Sequence, residues 1–360
     1  MTKQTPETLI KAQIRALSSY HVPNPDNMVK LDAMENPYRW PDELVDKWLE
    51  VLQRTEINRY PDPSARQLEV ALRSAMQIPD NMAVLLGNGS DELIQMLVMA
   101  VAEPGRVVLA PEPTFVMYRM IARVLGMTFT GVPLRDDFSL DTDAMLAAIK
   151  QHDPALIFLA YPNNPTGNLF SDADIVRILE QSNGLVILDE AYAPFTDASF
   201  MSRLGEYDNL LVLRTVSKMG LAGLRLGFLV GPAHWLNEID KTRLPYNINA
   251  LTQDTALFAM DHIEVLMAQA QHIRNDRSVL LDELRTLSAV MVYPSEANFI
   301  LFRLPKNQGQ AVFDALKEKG ILIKNLSAAG AALSDCLRVT VGTAGENRAF
   351  IHALKDILRE

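Results

Sequence analysis

Seven short apolar runs recur through the middle of the chain, at residues 83–86, 107–110, 127–132, 156–160, 185–188, 210–213 and 228–230. All but 127–132, which interleaves Thr128 and Thr130, are continuously apolar rather than alternating, the pattern of strands covered on both faces. Longer segments of helical character, such as 91–102 and 172–181, lie between them. Strands alternating with helices predict an α/β fold, with a large, mostly parallel sheet covered by helices. Ser171 followed by Asp174 predicts a capping box at the second of those helices. From about residue 270 the pattern changes to a strand over 298–303, a helix over 310–319, strands over 321–324 and 337–341, and a terminal helix over 346–359. The expected plan is therefore a large domain at 46–269 and a smaller α/β domain at 270–360. Residues 1–45 carry prolines at 6, 23, 25, 37 and 41 and little helical period, so they are expected to form an arm packed on the smaller domain.

A chain of 360 residues is long for a single core, which agrees with that division. A formal charge of -10 argues against binding nucleic acid through a broad basic field, so any anion site must be local. The single cysteine, Cys336, excludes an internal disulfide and fits a reducing compartment. Residues 1–13 lack the apolar stretch of an export signal, and the apolar run 93–102, bracketed by Glu92 and Glu103, is too short to span a bilayer. The expectation is a soluble, cytoplasmic protein with no membrane or nucleic-acid partner. The six histidines are scattered without ligand spacing, so no catalytic metal is expected.

Chemically distinctive residues collect where the strands end, the usual place for function in such sheets. After residue 86 come Gly87-Asn88-Gly89-Ser90-Asp91-Glu92 and an apolar helix. A glycine turn with Ser90 as N-cap would aim backbone N–H groups at an anion; an ordinary capped helix start would look the same. Glu92 stands where a dinucleotide fingerprint needs its third glycine, and no Gly-Lys-Ser/Thr completes a nucleotide loop. In Tyr161-Pro162-Asn163-Asn164-Pro165-Thr166-Gly167 two prolines fix a turn from which Asn164 can point back at a site. Asp189, at the end of the run 185–188, is a buried carboxylate that calls for a cation, for which a protonated pyridine nitrogen would serve; a helix N-cap is the plainer reading. Lys218 follows an apolar strand and precedes glycines and Arg225, which suits an imine-forming amine beside an anion site. Most lysines at strand ends are simply solvated.

In this order along the chain, the four segments resemble those of the fold-type I pyridoxal-phosphate aminotransferases over nearly the whole length. The resemblance implies that Lys218 holds pyridoxal 5'-phosphate covalently, that Asp189 pairs with the pyridine nitrogen, and that Tyr192 and Asn164 hydrogen-bond the ring oxygen. Ser90, Asp91, Ser217 and Arg225 match the residues that bind the cofactor phosphate. Phe115 falls where many relatives stack a tyrosine on the ring; stacking survives that change and the phenol's hydrogen bond does not. Within this group, Asn58-Arg59-Tyr60-Pro61-Asp62-Pro63, the run from Cys336 to Thr343 and the run from Leu31 to Tyr38 are most similar to the histidinol-phosphate aminotransferase family.

That likeness implies a homodimer in which Tyr60 reaches the neighbouring subunit's cofactor phosphate. It gives Arg338 the substrate's anionic end and makes Tyr20 the arm residue that closes over the substrate phosphate. Lys324 stands where some members have a second substrate-binding arginine; it keeps the charge and loses the bidentate geometry. The implied reaction passes an amino group between L-histidinol phosphate and 2-oxoglutarate, giving imidazole-acetol phosphate and L-glutamate, with Lys218, Asp189 and Tyr192 as catalytic residues. An aromatic or broad-range amino-acid aminotransferase, or a threonine-phosphate decarboxylase of the same fold, would share the cofactor residues. A non-catalytic ligand-binding protein on this scaffold would have no need of the intact Lys218, Asp189 and Tyr192 set.

Overall fold

The computed structural model describes residues 4–18, 24–25 and 27–359. Its main element is a seven-stranded sheet, in the order Ala83–Gly87, Gly227–Gly231, Leu210–Thr215, Leu185–Asp189, Leu156–Ala160, Val107–Glu112 and Thr128–Pro133. Gly227–Gly231 runs antiparallel to both neighbours and the remaining strands share one direction, so the sheet is mostly parallel as the apolar runs predict. Parallel neighbours require a crossover, and helices supply it. Side chains alternate between the faces. Ile157, Leu159, Val186 and Leu188 meet helices Arg66–Ala75, Thr142–His152, Asp172–Gln181 and Ala250–Asp261. Phe158, Leu185, Ile187 and Leu213 meet Ser90–Val101, Val116–Leu125 and Ala233–Asp240 on the other face.

A second, antiparallel sheet orders Lys324–Asn325, Cys336–Thr340, Phe299–Arg303 and Met291–Val292. Helix Ala344–Leu358 packs on it and begins with a complete capping box, Thr343 with Glu346. The arm contributes a short strand, Val29–Lys30, paired in parallel with Ile321–Leu322. The long helix Ile263–Arg285 passes from one core to the other: Leu266 packs with the large sheet, whereas Ala270, Ile273 and Leu284 pack with the small one. No helix among the described residues is long and apolar enough to cross a membrane.

Three local expectations are corrected. The strand expected over 321–324 breaks at Ile323, because Ile321–Leu322 pairs with the arm while Lys324–Asn325 pairs with Cys336–Thr340. Ser171 occupies the N-cap of Asp172–Gln181, but its side chain accepts no capping hydrogen bond. The first 45 residues hold two single-turn helices, Pro6–Leu9 and Ala12–Arg15, and the start of the helix Asp42–Leu52.

Candidate active site

The carboxyl ends of Ala83–Gly87, Leu156–Ala160, Leu185–Asp189 and Leu210–Thr215 open onto a cavity of about 400 Å3. Asp189, Tyr192, Asn164 and Lys218 line it together with Ser90, Asp91, Phe115, Ser217 and Arg225. Asp189 ends its strand with 4% of its surface exposed. The hydroxyl of Tyr118 donates to its Oδ2 at 2.6 Å and the Ala191 N–H to its Oδ1 at 3.2 Å. Burial lifts this carboxyl to about 6, against the Tyr118 hydrogen bond that holds it down. Asp189 has no basic partner within ion-pair distance among the described residues.

Lys218 sits in a single wide helical turn, Ser217–Leu221, that is broken at Gly220 where φ is 121°. Its Nζ lies 5.8 Å from the centre of the Tyr192 ring. Its side chain lines the cavity. Burial brings the ammonium down from 10.5 to about 8, and the guanidinium of Arg338 pushes the same way. Asn164 ties this centre to Arg338: its Nδ2 donates to Tyr192 Oη at 3.1 Å, and its Oδ1 accepts from Arg338 Nη1 at 2.5 Å. Arg338 is buried on Cys336–Thr340, beside the cavity rather than on its wall, and also donates to the Asp32 carbonyl at 3.2 Å. Lys324 is the direct cross-strand partner of Arg338. Residues so opposed share a face, so ammonium and guanidinium project from the same side of the small sheet.

At the opposite end, the helix start departs from expectation. Gly89 is the N-cap with φ 85°, and Ser90 is the first helical residue of Ser90–Val101. Glycine is required there because φ 85° is a conformation that side chains rarely adopt, and it is required at Gly227 because a Cβ would lie 2.6 Å from the Ser90 nitrogen. Freed from capping, Ser90 lines the cavity beside Asp91, whose carboxylate is 3.6 Å from Arg225 Nη2. Glu92 and Asn247 clip the turn from behind. Glu92 Oε2 accepts from the Asn88 N–H at 2.6 Å and from Asn247 Nδ2 at 2.8 Å.

Two predicted residues stand apart. Tyr60 is 80% exposed and stacks on Tyr246 with ring centres 4.4 Å apart, in a separate surface hollow. Tyr20 lies outside the described residues. Conversely, Tyr118 and Met34 belong to the site although neither stands out in the sequence. Met34 lines the cavity with a left-handed backbone, φ 56°, its N–H on Thr340 Oγ1 and its carbonyl on Asn298 Nδ2. A methionine carries no sequence signal for such a conformation.

Residues 26–354 match the family Aminotransferase class I and II. Histidinol-phosphate aminotransferase 2 of Nitrosococcus oceani is 57% identical over 355 residues, covering 99% of each chain. The chain belongs to the histidinol-phosphate aminotransferase family. Another relative of that name, from Cupriavidus pinatubonensis, is 50% identical over 359 residues and 98% of each chain. Among solved structures, the histidinol-phosphate aminotransferase of Sinorhizobium meliloti in complex with pyridoxal-5'-phosphate superposes with a TM-score of 0.86 over 98% of each chain. At 24% identity that likeness speaks for the fold.

The family implies pyridoxal phosphate, and the donor set fits it. A buried carboxylate without a basic partner suits a protonated ring nitrogen. The amine of Lys218 suits a carbonyl carbon, and the glycine-lined helix start with Arg225 suits a phosphate, since first-turn N–H groups have no acceptor within their helix.

Proposed function

We propose that the chain catalyses pyridoxal-phosphate-dependent transamination between L-histidinol phosphate and 2-oxoglutarate, yielding imidazole-acetol phosphate and L-glutamate. The observation that carries this reading is a pair of ionisable groups on one cavity, the half-buried Lys218 lowered to about 8 and the buried Asp189 raised to about 6. Burial is the first cause of both. Pairs of groups driven so far from their ordinary values mark acid–base sites. The relatives support the choice of substrates.

When bound, pyridoxal phosphate supplies a carbonyl carbon that takes up the amino group and a conjugated ring that disperses charge from the reacting carbon. Lys218 Nζ anchors the group covalently. Once released, it carries the proton to and from the substrate carbon that bears nitrogen, as a general base whose neutral form burial favours. Asp189 keeps the ring nitrogen protonated, while Tyr192 and Asn164 hydrogen-bond the ring oxygen. Ser90, Ser217 and Arg225 take the phosphate with the first-turn N–H groups, and the Asp91 carboxylate orients Arg225. Phe115 covers a ring face. Arg338 binds the anionic end of either substrate, since a guanidinium suits carboxylate and phosphate alike, and Lys324 adds charge from the same sheet face.

The working unit in this reading is a cytoplasmic homodimer, with a large domain at 46–269, a small one at 270–360 and an arm at 1–45. Tyr60 reaches the partner subunit's phosphate site, a role its 80% exposure supports, and Tyr20 closes over the substrate phosphate. The test is a half-reaction screen in which pyridoxamine-form protein meets candidate keto substrates while absorbance is followed. Imidazole-acetol phosphate should regenerate the pyridoxal form fastest. Regeneration by phenylpyruvate without a response to imidazole-acetol phosphate would move the assignment to an aromatic or broad-range aminotransferase, and carbon dioxide release from threonine phosphate would move it to a decarboxylase.

A further inference from the structure

Tyr118, in the first turn of Val116–Leu125, is wholly buried among apolar side chains. A phenol hydroxyl in such surroundings needs a partner, and Asp189 Oδ2 is that partner at 2.6 Å. The ring cannot drift from this contact. It stacks on Phe158 with centroids 4.5 Å apart and planes 8° apart, and it meets Phe115 edge-on at 5.6 Å. An ionised carboxylate only accepts hydrogen bonds, so the proton on this bond belongs to Tyr118. The tyrosine and the Ala191 N–H occupy two of the carboxylate's roughly four lone-pair directions, which leaves capacity towards the cavity that Asp189 lines.

The charged and titratable surroundings make this donor matter. Burial, Asp91 and Glu190 all disfavour ionisation of Asp189, whereas Tyr118 first and the Ala191 N–H second favour it. Lys218 and Tyr192 line the same cavity. Glu190 is engaged elsewhere, with Arg214 at 2.7 Å and the Ser199 hydroxyl at 2.9 Å, so it offers the ring nitrogen no substitute. The phenol of Tyr118 is itself raised well above its ordinary value by burial and by Asp189, and it stays a donor throughout the working pH range.

We propose that Tyr118 is a positioning residue for the cofactor site, whose hydroxyl proton holds Asp189 ionised and in one orientation for the ring nitrogen. The inference rests on the reading of Asp189 given above. Tyr118→Phe keeps both ring contacts and removes the hydroxyl alone, so the experiment measures pyridoxal-phosphate dissociation constants from pH 5 to 8.5 in wild type, Tyr118→Phe, Asp189→Asn and the double variant. Losing a hydrogen bond to a charged group should weaken binding by about tenfold to a hundredfold in Tyr118→Phe. The acid limb of binding should also move to higher pH. In the Asp189→Asn background the same change should have less than about a twofold effect, because there is no charge left to hold. Tyr118→3-fluorotyrosine, a stronger donor, should shift the acid limb to lower pH and serves as a second variant if Tyr118→Phe does not fold. Binding by Tyr118→Phe within about twofold of wild type, or an equal loss in both backgrounds, would overturn the proposal, the second result meaning that the ring acts through packing. Wild-type affinity in Asp189→Asn at every pH would overturn the reading of Asp189 itself, and the proposal with it.

Discussion

Replacing Lys218 by methionine should stabilise the cofactor-free protein at neutral pH while removing its covalent bond to the cofactor. Burial, aided by Arg338, lowers this amine from 10.5 to about 8. Below pH 8 it is charged in both folded and unfolded chains, so the whole penalty for keeping an ammonium inside the protein is present. Between pH 8 and 10.5 the unfolded chain binds the proton that the folded one has released, and wild-type stability therefore rises with pH through that window. At about 1.4 kcal/mol for each pH unit, the fall from 10.5 to about 8 is worth about 3 kcal/mol. Cavity water screens part of the charge, which makes that an upper figure. Methionine is unbranched and uncharged, and it fills similar space without the penalty. Urea unfolding of both cofactor-free proteins at equal concentration should show the variant ahead by up to about 3 kcal/mol at pH 7, with the gap nearly closed at pH 10.5. A variant no more stable than wild type at pH 7, or a gap unchanged between the two pH values, would refute this account of Lys218.

Three further outcomes follow from the geometry. Gly227→Ala puts a Cβ 2.6 Å from the Ser90 nitrogen and 2.8 Å from the Gly89 carbonyl carbon, both backbone atoms. It should displace the phosphate cradle and weaken pyridoxal phosphate binding by about tenfold or more while leaving binding of phosphate-free pyridoxal nearly unchanged, as paired titrations would reveal. Mixed dimers of inactive Lys218→Ala and Tyr60→Ala chains should regain part of the wild-type activity, because one site per dimer then keeps both residues; no recovery would exclude Tyr60 from acting across subunits. Lys324→Arg restores a bidentate donor opposite Arg338 and should lower KM for histidinol phosphate severalfold with cofactor affinity unaltered, a split that steady-state kinetics and equilibrium titration would resolve.

The large sheet is readable in the sequence because its strands are buried on both faces. Runs such as 156–160 and 185–188 are therefore continuously apolar, and Asp189 and Lys218 stand out as polar residues at their ends. Other features left no such mark. Tyr118 lies in an apolar helix pattern and reads as core, since its partner is 71 residues away. The helix start at 89–90 differs from the expectation because serine is the commoner cap, whereas the positive φ that demands Gly89 exists only in three dimensions. The break at Ile323 reflects two different pairing partners, one of them an arm strand too short to show a period. Arg338 and Lys324 are recognisable as residue types, but their shared face depends on the register of two antiparallel strands.

The proposed chemistry requires Lys218 to bind pyridoxal phosphate covalently. Borohydride reduction of the cofactor-loaded protein, followed by digestion and mass spectrometry of the peptides, tests it directly. A phosphopyridoxyl group should appear on Nζ of Lys218, near one per chain, and should disappear when L-histidinol phosphate is added before reduction. A label on another lysine, or no label on a protein that retains the cofactor, would contradict it.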